Sequence, residues 1–118
     1  MKPKYSLFSN TSYALTGLLA MIKNERAFQI ELVIIIPALI ISFFLPVSLE
    51  IHLFLIAVLF FILIAECVNS SIEACVDLFT QEWHEKAKIA KDCASAAVFL
   101  SVCLAVGVWA FVLFALFF

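Results

Sequence analysis

Residues 66–77 read ECVNSSIEACVD and stand inside a long apolar stretch of the chain. On a helix, which advances about 100° per residue, Glu66, Asn69, Ser70, Glu73 and Asp77 fall within roughly 60° of one line. Cys67, Val68, Ile72, Cys75 and Val76 take the other side. An ionisable group in the middle of a membrane segment costs about 3 kcal/mol or more, so such groups face a bundle interior or a wet cavity and mark function. A stripe of this length is a site.

The membrane setting follows from composition. Of 118 residues, 66% are hydrophobic and only 14% charged. A soluble domain of that size cannot bury so much apolar surface, and the expected solvent is a bilayer. Two glycines and three prolines leave little room for linkers, so residues 1–118 are read as a single membrane domain without repeats. The net charge of −2 is uninformative about nucleic acid, and no basic patch with interleaved aromatics points to such a partner, so none is expected. The four cysteines, Cys67, Cys75, Cys93 and Cys103, form no CxxC pair and no zinc-ligand spacing, and read as small apolar fillers. The opening MKPKYSLFSN lacks the apolar core of a removable signal peptide.

The expected fold is all-α integral membrane, an N-terminal amphipathic surface helix followed by three transmembrane helices. Residues 1–23 mix Tyr13, Leu15, Leu18, Leu19 and Ile22 with polar neighbours, the pattern of a helix lying in the interface. Residues 28–47 form the first expected span, about 30 Å long as a helix, with Pro37 removing one backbone donor. The second span, 51–79, would reach about 40 Å, so its far end extends out of the hydrocarbon into the cytoplasm. A cytoplasmic loop at 80–88 leads to the third span, 89–117. All seven basic residues (Lys2, Lys4, Lys23, Arg26, Lys86, Lys88 and Lys91) lie before the first span or near the second connection. By the positive-inside rule the N-terminus and the 80–88 loop are cytoplasmic and the C-terminus is outside.

Depth then orders the stripe. About twenty residues of hydrocarbon counted from Ile51 end near Ser70. Glu66 falls just inside the interface, with Glu73 and Asp77 nearer water. Such a ladder suits chemistry between a membrane-dissolved substrate and a water-borne one. Glu25, Arg26, Glu82, His84, Lys91 and Asp92 belong to the same cytoplasmic edge. Together these groups could hold a hard divalent cation, meet a polyphosphate and take a proton from a hydroxyl, the components of phosphoryl transfer. No P-loop, glycine-rich kinase loop or GxSxG elbow is present.

The stripe resembles the signature of the prokaryotic diacylglycerol kinase family, E-x-[aliphatic]-N-[ST]-[SA]-[aliphatic]-E-x-x-V-D, through Glu66, Asn69, Ser70, Ser71, Glu73, Val76 and Asp77. NERAF-x-x-E (residues 24–31) resembles the family's segment at the first span, and EWHEKAKIAKDCASAAV (82–98) its EYH…AKD-x-x-SAAV block. The resemblance implies a homotrimer of three-span protomers in the bacterial inner membrane, with active sites shared between subunits. It implies transfer of the ATP γ-phosphoryl group to a lipid alcohol, with Mg2+ as cofactor. By matching position, Glu66 is the catalytic base. Glu25 and Glu73 hold the metal on ATP. Tyr13, Glu25, Glu73, Glu82, Trp83, His84, Lys91 and Asp92 bind ATP, with Lys91 on its phosphates. Glu66, Asn69 and Ser95 form the acceptor site.

Ser6 stands where better-known members carry an arginine that contacts ATP. Leu15 and Thr16 replace a frequent tryptophan and lysine, and Ala94 a frequent glycine. Ser70 and Ala74 resemble the diacylglycerol-type members, whereas undecaprenol-type members often read N-T-A-I-E-R. Diacylglycerol is therefore the expected acceptor, with undecaprenol the alternative. Two other classes differ in kind, a small proton-coupled transporter and a structural helper subunit. The transporter is disfavoured because the acids gather at one interface and not at midplane. The helper subunit predicts that Glu66→Gln changes nothing measurable.

Overall fold

The computed structural model describes residues 6–118. Lys2 and Lys4, and with them part of the 1–23 surface helix, lie outside the described residues. The described chain is all-helical: α1 (Leu7–Asn24), α2 (Arg26–Ser42), α3 (Leu49–Phe79) and α4 (Glu85–Phe117). Two of these, α3 with 31 residues and α4 with 33, are long and apolar enough to cross a membrane. At 1.5 Å per residue each extends well beyond the ~30 Å hydrocarbon thickness.

Each helix boundary has a local cause. Ser6 Oγ accepts from Ser9 N (3.4 Å) to start α1, and Ser48 Oγ accepts from Ile51 N (3.3 Å) to start α3. Between α1 and α2 only Glu25 leaves helical geometry (φ −102°, ψ 109°). The corner is fastened by Gln29, whose Nε2 donates to the carbonyls of Ile22 (2.9 Å) and Lys23 (3.2 Å), two of the acceptors a helix end leaves open.

The bounds depart from the sequence expectation in three places. The helix expected over 28–47 begins at Arg26 and stops at Ser42, giving 17 residues and about 25 Å. Its last carbonyls are taken by tighter turns, from Phe43 N to Ile40 O (3.2 Å), Phe44 N to Ile41 O (2.9 Å) and Leu45 N to Ser42 O (3.3 Å). The cause is Pro46, which lacks an N–H and pushes its predecessor out of the helical region. The helix expected from 51 starts at Leu49, on the Ser48 cap. The 80–88 loop is only five residues long, 80–84, because His84 Nδ1 accepts from Lys86 N (3.1 Å) and starts α4 at Glu85 instead of 89.

The interior lies between α2, α3 and α4, where Ile35, Val58, Leu59, Ile62 and Ala105 are buried and Trp109 packs against them. The α3–α4 contact is the most extensive and α2 packs on α3, whereas α1 touches the others least. Lipid tails are as apolar as these side chains, so in a bilayer the contacts stabilise by van der Waals packing and internal hydrogen bonds rather than by water exclusion. Trp109 Nε1 donates to Leu55 O (3.2 Å), joining α4 to α3. Ser42 and Ser101 are buried and bond back to Leu39 O (2.7 Å) and Ala97 O (2.8 Å) of their own helices.

Candidate active site

The polar stripe lies on one continuous helix, and its burial falls along it. Glu66 is 4% exposed, Asn69 and Glu73 are half-buried, and Asp77 is exposed near the helix end. On the other side of α3, Val68 and Cys75 face outward. Within the protomer, burial therefore decreases from Glu66 toward Asp77.

Asn69 organises the buried end. Its Nδ2 donates to Glu66 Oε2 (3.1 Å) one turn back and to Glu73 Oε1 (2.9 Å) one turn ahead, spacings at which helical side chains meet. One amide nitrogen thus holds two carboxylates in line. Asn69 Oδ1 is itself buried with no hydrogen-bond partner among the described residues.

A third carboxylate joins them. Glu31 of α2 lies beside Glu66, and its Oε1 is buried and unpartnered among the described residues. Sequence reasoning quoted Glu31 in the first-span segment but gave it no role. The signal was available: a carboxylate set between Phe28 and a long apolar run is as costly as Glu66 and calls for the same explanation. Beside Glu31 an apolar cavity of about 360 Å³ opens between α2, α3 and α4, lined by Ile34, Ala38, Leu59, Val102, Ala105 and Trp109 among others.

At the exposed end, Lys91 Nζ of α4 meets Asp77 Oδ1 of α3 at 2.7 Å. Glu73 also lies within electrostatic range of Lys91, which connects the two ends of the stripe. Asp77, Glu82, Trp83, His84, Lys88 and Lys91 line a single pocket of about 360 Å³ at the α3–α4 joint. Asp92 does not line this pocket but bonds Lys88, which does, at 2.6 Å.

The remaining candidates are placed by their helices. Glu25 is the corner residue between α1 and α2, and its side chain makes no capping bond. Tyr13 is partly exposed on α1, and Ser95 is exposed on α4. Among the described residues no three His, Cys, Asp or Glu side chains gather closely enough to hold a metal ion. Magnesium is commonly held by one or two carboxylates together with substrate phosphates, and the half-buried Glu73 is a carboxylate that could serve in that mode.

Comparison with known proteins gives consistent matches. The sequence model described as prokaryotic diacylglycerol kinase matches residues 12–113. A protein of Haemophilus influenzae named diacylglycerol kinase is 38% identical over 109 residues, 92% of each chain. One of that name from Escherichia coli K12 is 39% identical over 101 residues, 86% of this chain and 83% of its own. One from Pseudomonas aeruginosa is 40% identical over 108 residues, 91% and 87%.

Proposed function

The chain belongs to the prokaryotic diacylglycerol kinase family, and from that premise we propose that it is an ATP-dependent lipid kinase converting diacylglycerol to phosphatidic acid. The observation that carries the reading is the Asn69 bridge between buried Glu66 and half-buried Glu73. The bridge holds both carboxylates on one helix face, which supports reading Glu66 as the base on the lipid side and Glu73 as the carboxylate on the phosphate side.

In this reading the hydroxyl of diacylglycerol approaches Glu66 from the apolar side, where the cavity beside Glu31 offers room for hydrocarbon. Glu66 accepts the hydroxyl proton as the lipid oxygen bonds to the γ-phosphorus and the bridging β–γ bond breaks, releasing ADP. Asn69 keeps the base in position, and Ser95 belongs to the acceptor side. Glu73 and Glu25 would hold the Mg2+ that accompanies ATP, which would neutralise phosphate charge. Lys91 contacts the phosphates with Asp92 beside it, while Tyr13, Glu82, Trp83 and His84 receive the outer part of the nucleotide.

The working form is a homotrimer in the bacterial inner membrane with sites completed between subunits. Each protomer crosses three times and α1 lies in the interface. One feature supports this arrangement. Large apolar side chains face outward on α2 and α4, Val33, Ile34, Phe99 and Phe111 among them, and suit lipid or a second copy. Although α2 has only 17 residues, the apolar turn at 43–45 lengthens its apolar reach. By the positive-inside rule the basic residues favour a cytoplasmic N-terminus and site, with the C-terminus outside.

The test is transfer from labelled ATP with Mg2+, in mixed micelles, to diacylglycerol and undecaprenol side by side. Preferential labelling of diacylglycerol is expected. Preference for undecaprenol would reassign the acceptor, and labelling of neither by folded protein would overturn the kinase reading. Glu66→Gln is expected to lose about 10²–10⁴-fold in kcat, the contribution of a positioned base, with helix content unchanged.

A further inference from the structure

Asp77 ends the polar stripe, yet the chemistry above gives it no part. It lies one turn beyond Glu73 on the same face of α3, and the helix stops two residues later at Phe79. Its carboxylate meets Lys91 Nζ at 2.7 Å, across the joint between α3 and α4. The end of α3 that carries it is itself tied down, since Gln81 Nε2 donates to the Asp77 carbonyl (3.0 Å).

A lysine side chain is a compact charge on a flexible four-carbon stem, and about 2 kcal/mol of rotamer freedom must be given up to aim it. Asp77 has already fixed that direction. The ammonium has three donors, one of which is committed to Asp77 Oδ1, and the side chain is still 39% exposed. Two donors remain for an anion in the pocket that both residues line. Lys88–Asp92, on the neighbouring turn, differs. It is more exposed, with side chains at 59% and 64%, and its partners are four residues apart on one helix, so it fixes nothing between helices.

We infer that Asp77 is the positioning residue for Lys91, holding its ammonium over the nucleotide pocket so that ATP phosphates meet an already oriented donor. The inference rests on the kinase reading and deepens it. Asp77 acts through Lys91 and touches neither substrate.

A double-mutant cycle on kcat/KM for ATP, with unfolding and helix content recorded for every variant, tests it. Asp77→Asn is expected to lower kcat/KM for ATP about tenfold, the scale of one hydrogen bond to a charged group, while KM for diacylglycerol stays unchanged. Lys91→Gln is expected to lose more. The double variant should be no worse than Lys91→Gln alone, because the second change removes what the first acts through. Asp77→Glu, which keeps a charged acceptor, should recover most of the loss, and it carries the test if Asp77→Asn fails to fold. Additive losses, an unchanged ATP dependence in folded Asp77→Asn, or a lower KM for ATP in that variant would each overturn the inference; the last would make Asp77 a competitor of phosphate. If Lys91→Gln turns ATP over like the parent, the nucleotide role of Lys91 falls and the inference with it. If diacylglycerol is not phosphorylated by the parent protein at all, the kinase reading fails first.

Discussion

Asn69 and Glu66 are joined at 3.1 Å, one turn apart on α3, and the nitrogen that makes this bond also holds Glu73 at 2.9 Å. Two carboxylates at different depths are thereby locked to one side chain. Replacing Asn69 by Leu keeps the volume and removes both bonds. A hydrogen bond to a charged group is worth about 1.5–3 kcal/mol. The expected result is a fall in kcat of roughly 10- to 100-fold, read in the mixed-micelle assay, with helix content retained.

Glu31 and Glu66 bring a second pair of acidic groups together, on α2 and α3, and one Glu31 oxygen is left buried without a donor. Glu31→Gln supplies an amide donor to Glu66 and removes a like-charge neighbour. Two carboxylates side by side in a poorly hydrated interior disfavour each other's charge, and one pKa unit of such interaction is about 1.4 kcal/mol, so this variant is expected to be more stable than the parent by about 1 kcal/mol. Its kcat should fall, because a carboxylate held by a new donor is a weaker base. Unfolding in detergent and initial rates measured on the same samples check both halves.

Much of this arrangement was legible in the sequence, because the membrane makes polar residues expensive. A carboxylate at position 66 has to be explained by a site, and helical periodicity puts Asn69 and Glu73 on its face without further information. Burial in the fold follows the same order, from Glu66 through Glu73 to Asp77. What local sequence could not supply were relations between helices. Sequence alone gives Asp77 only as the last acid of the stripe, and its pairing with Lys91 across the α3–α4 joint is a relation between helices. The helix boundaries were misjudged where a single cap or breaker decides: Pro46 ends α2 at Ser42, and the ring nitrogen of His84 begins α4 at Glu85. An apolar run reads the same whether helical or turned, so hydropathy had no means of finding the Ser42 boundary. Glu31 was overlooked for a different reason. It stands at the start of the apolar stretch, where a charge reads as a boundary marker rather than as part of a site.

Trp109 and Leu55 tie α4 to α3 through one indole hydrogen bond of 3.2 Å inside the bundle. Trp109→Phe keeps most of the aromatic packing and leaves the Leu55 carbonyl with its helical partner only. A net loss of about 1 kcal/mol in unfolding free energy is expected, the usual worth of one hydrogen bond. Trp109 also lines the cavity proposed for the lipid's hydrocarbon, so kcat should be retained while KM for diacylglycerol rises. Equilibrium unfolding in detergent, paired with the lipid kinase assay, measures both.

His84 carries two roles that substitution can separate. Its Nδ1 accepts from Lys86 N (3.1 Å) and caps α4, and the ring lines the pocket proposed for the nucleotide. His84→Ala removes both, and loss of an N-cap acceptor costs about 1 kcal/mol. His84→Asn restores an acceptor at the cap but offers no ring to the pocket. The expected pattern is a lower unfolding midpoint for His84→Ala alone, with KM for ATP raised in both variants and KM for diacylglycerol unchanged. If His84→Asn instead binds ATP like the parent, the residue serves the helix and not the nucleotide, and the outer wall of the pocket is left to Glu82 and Trp83.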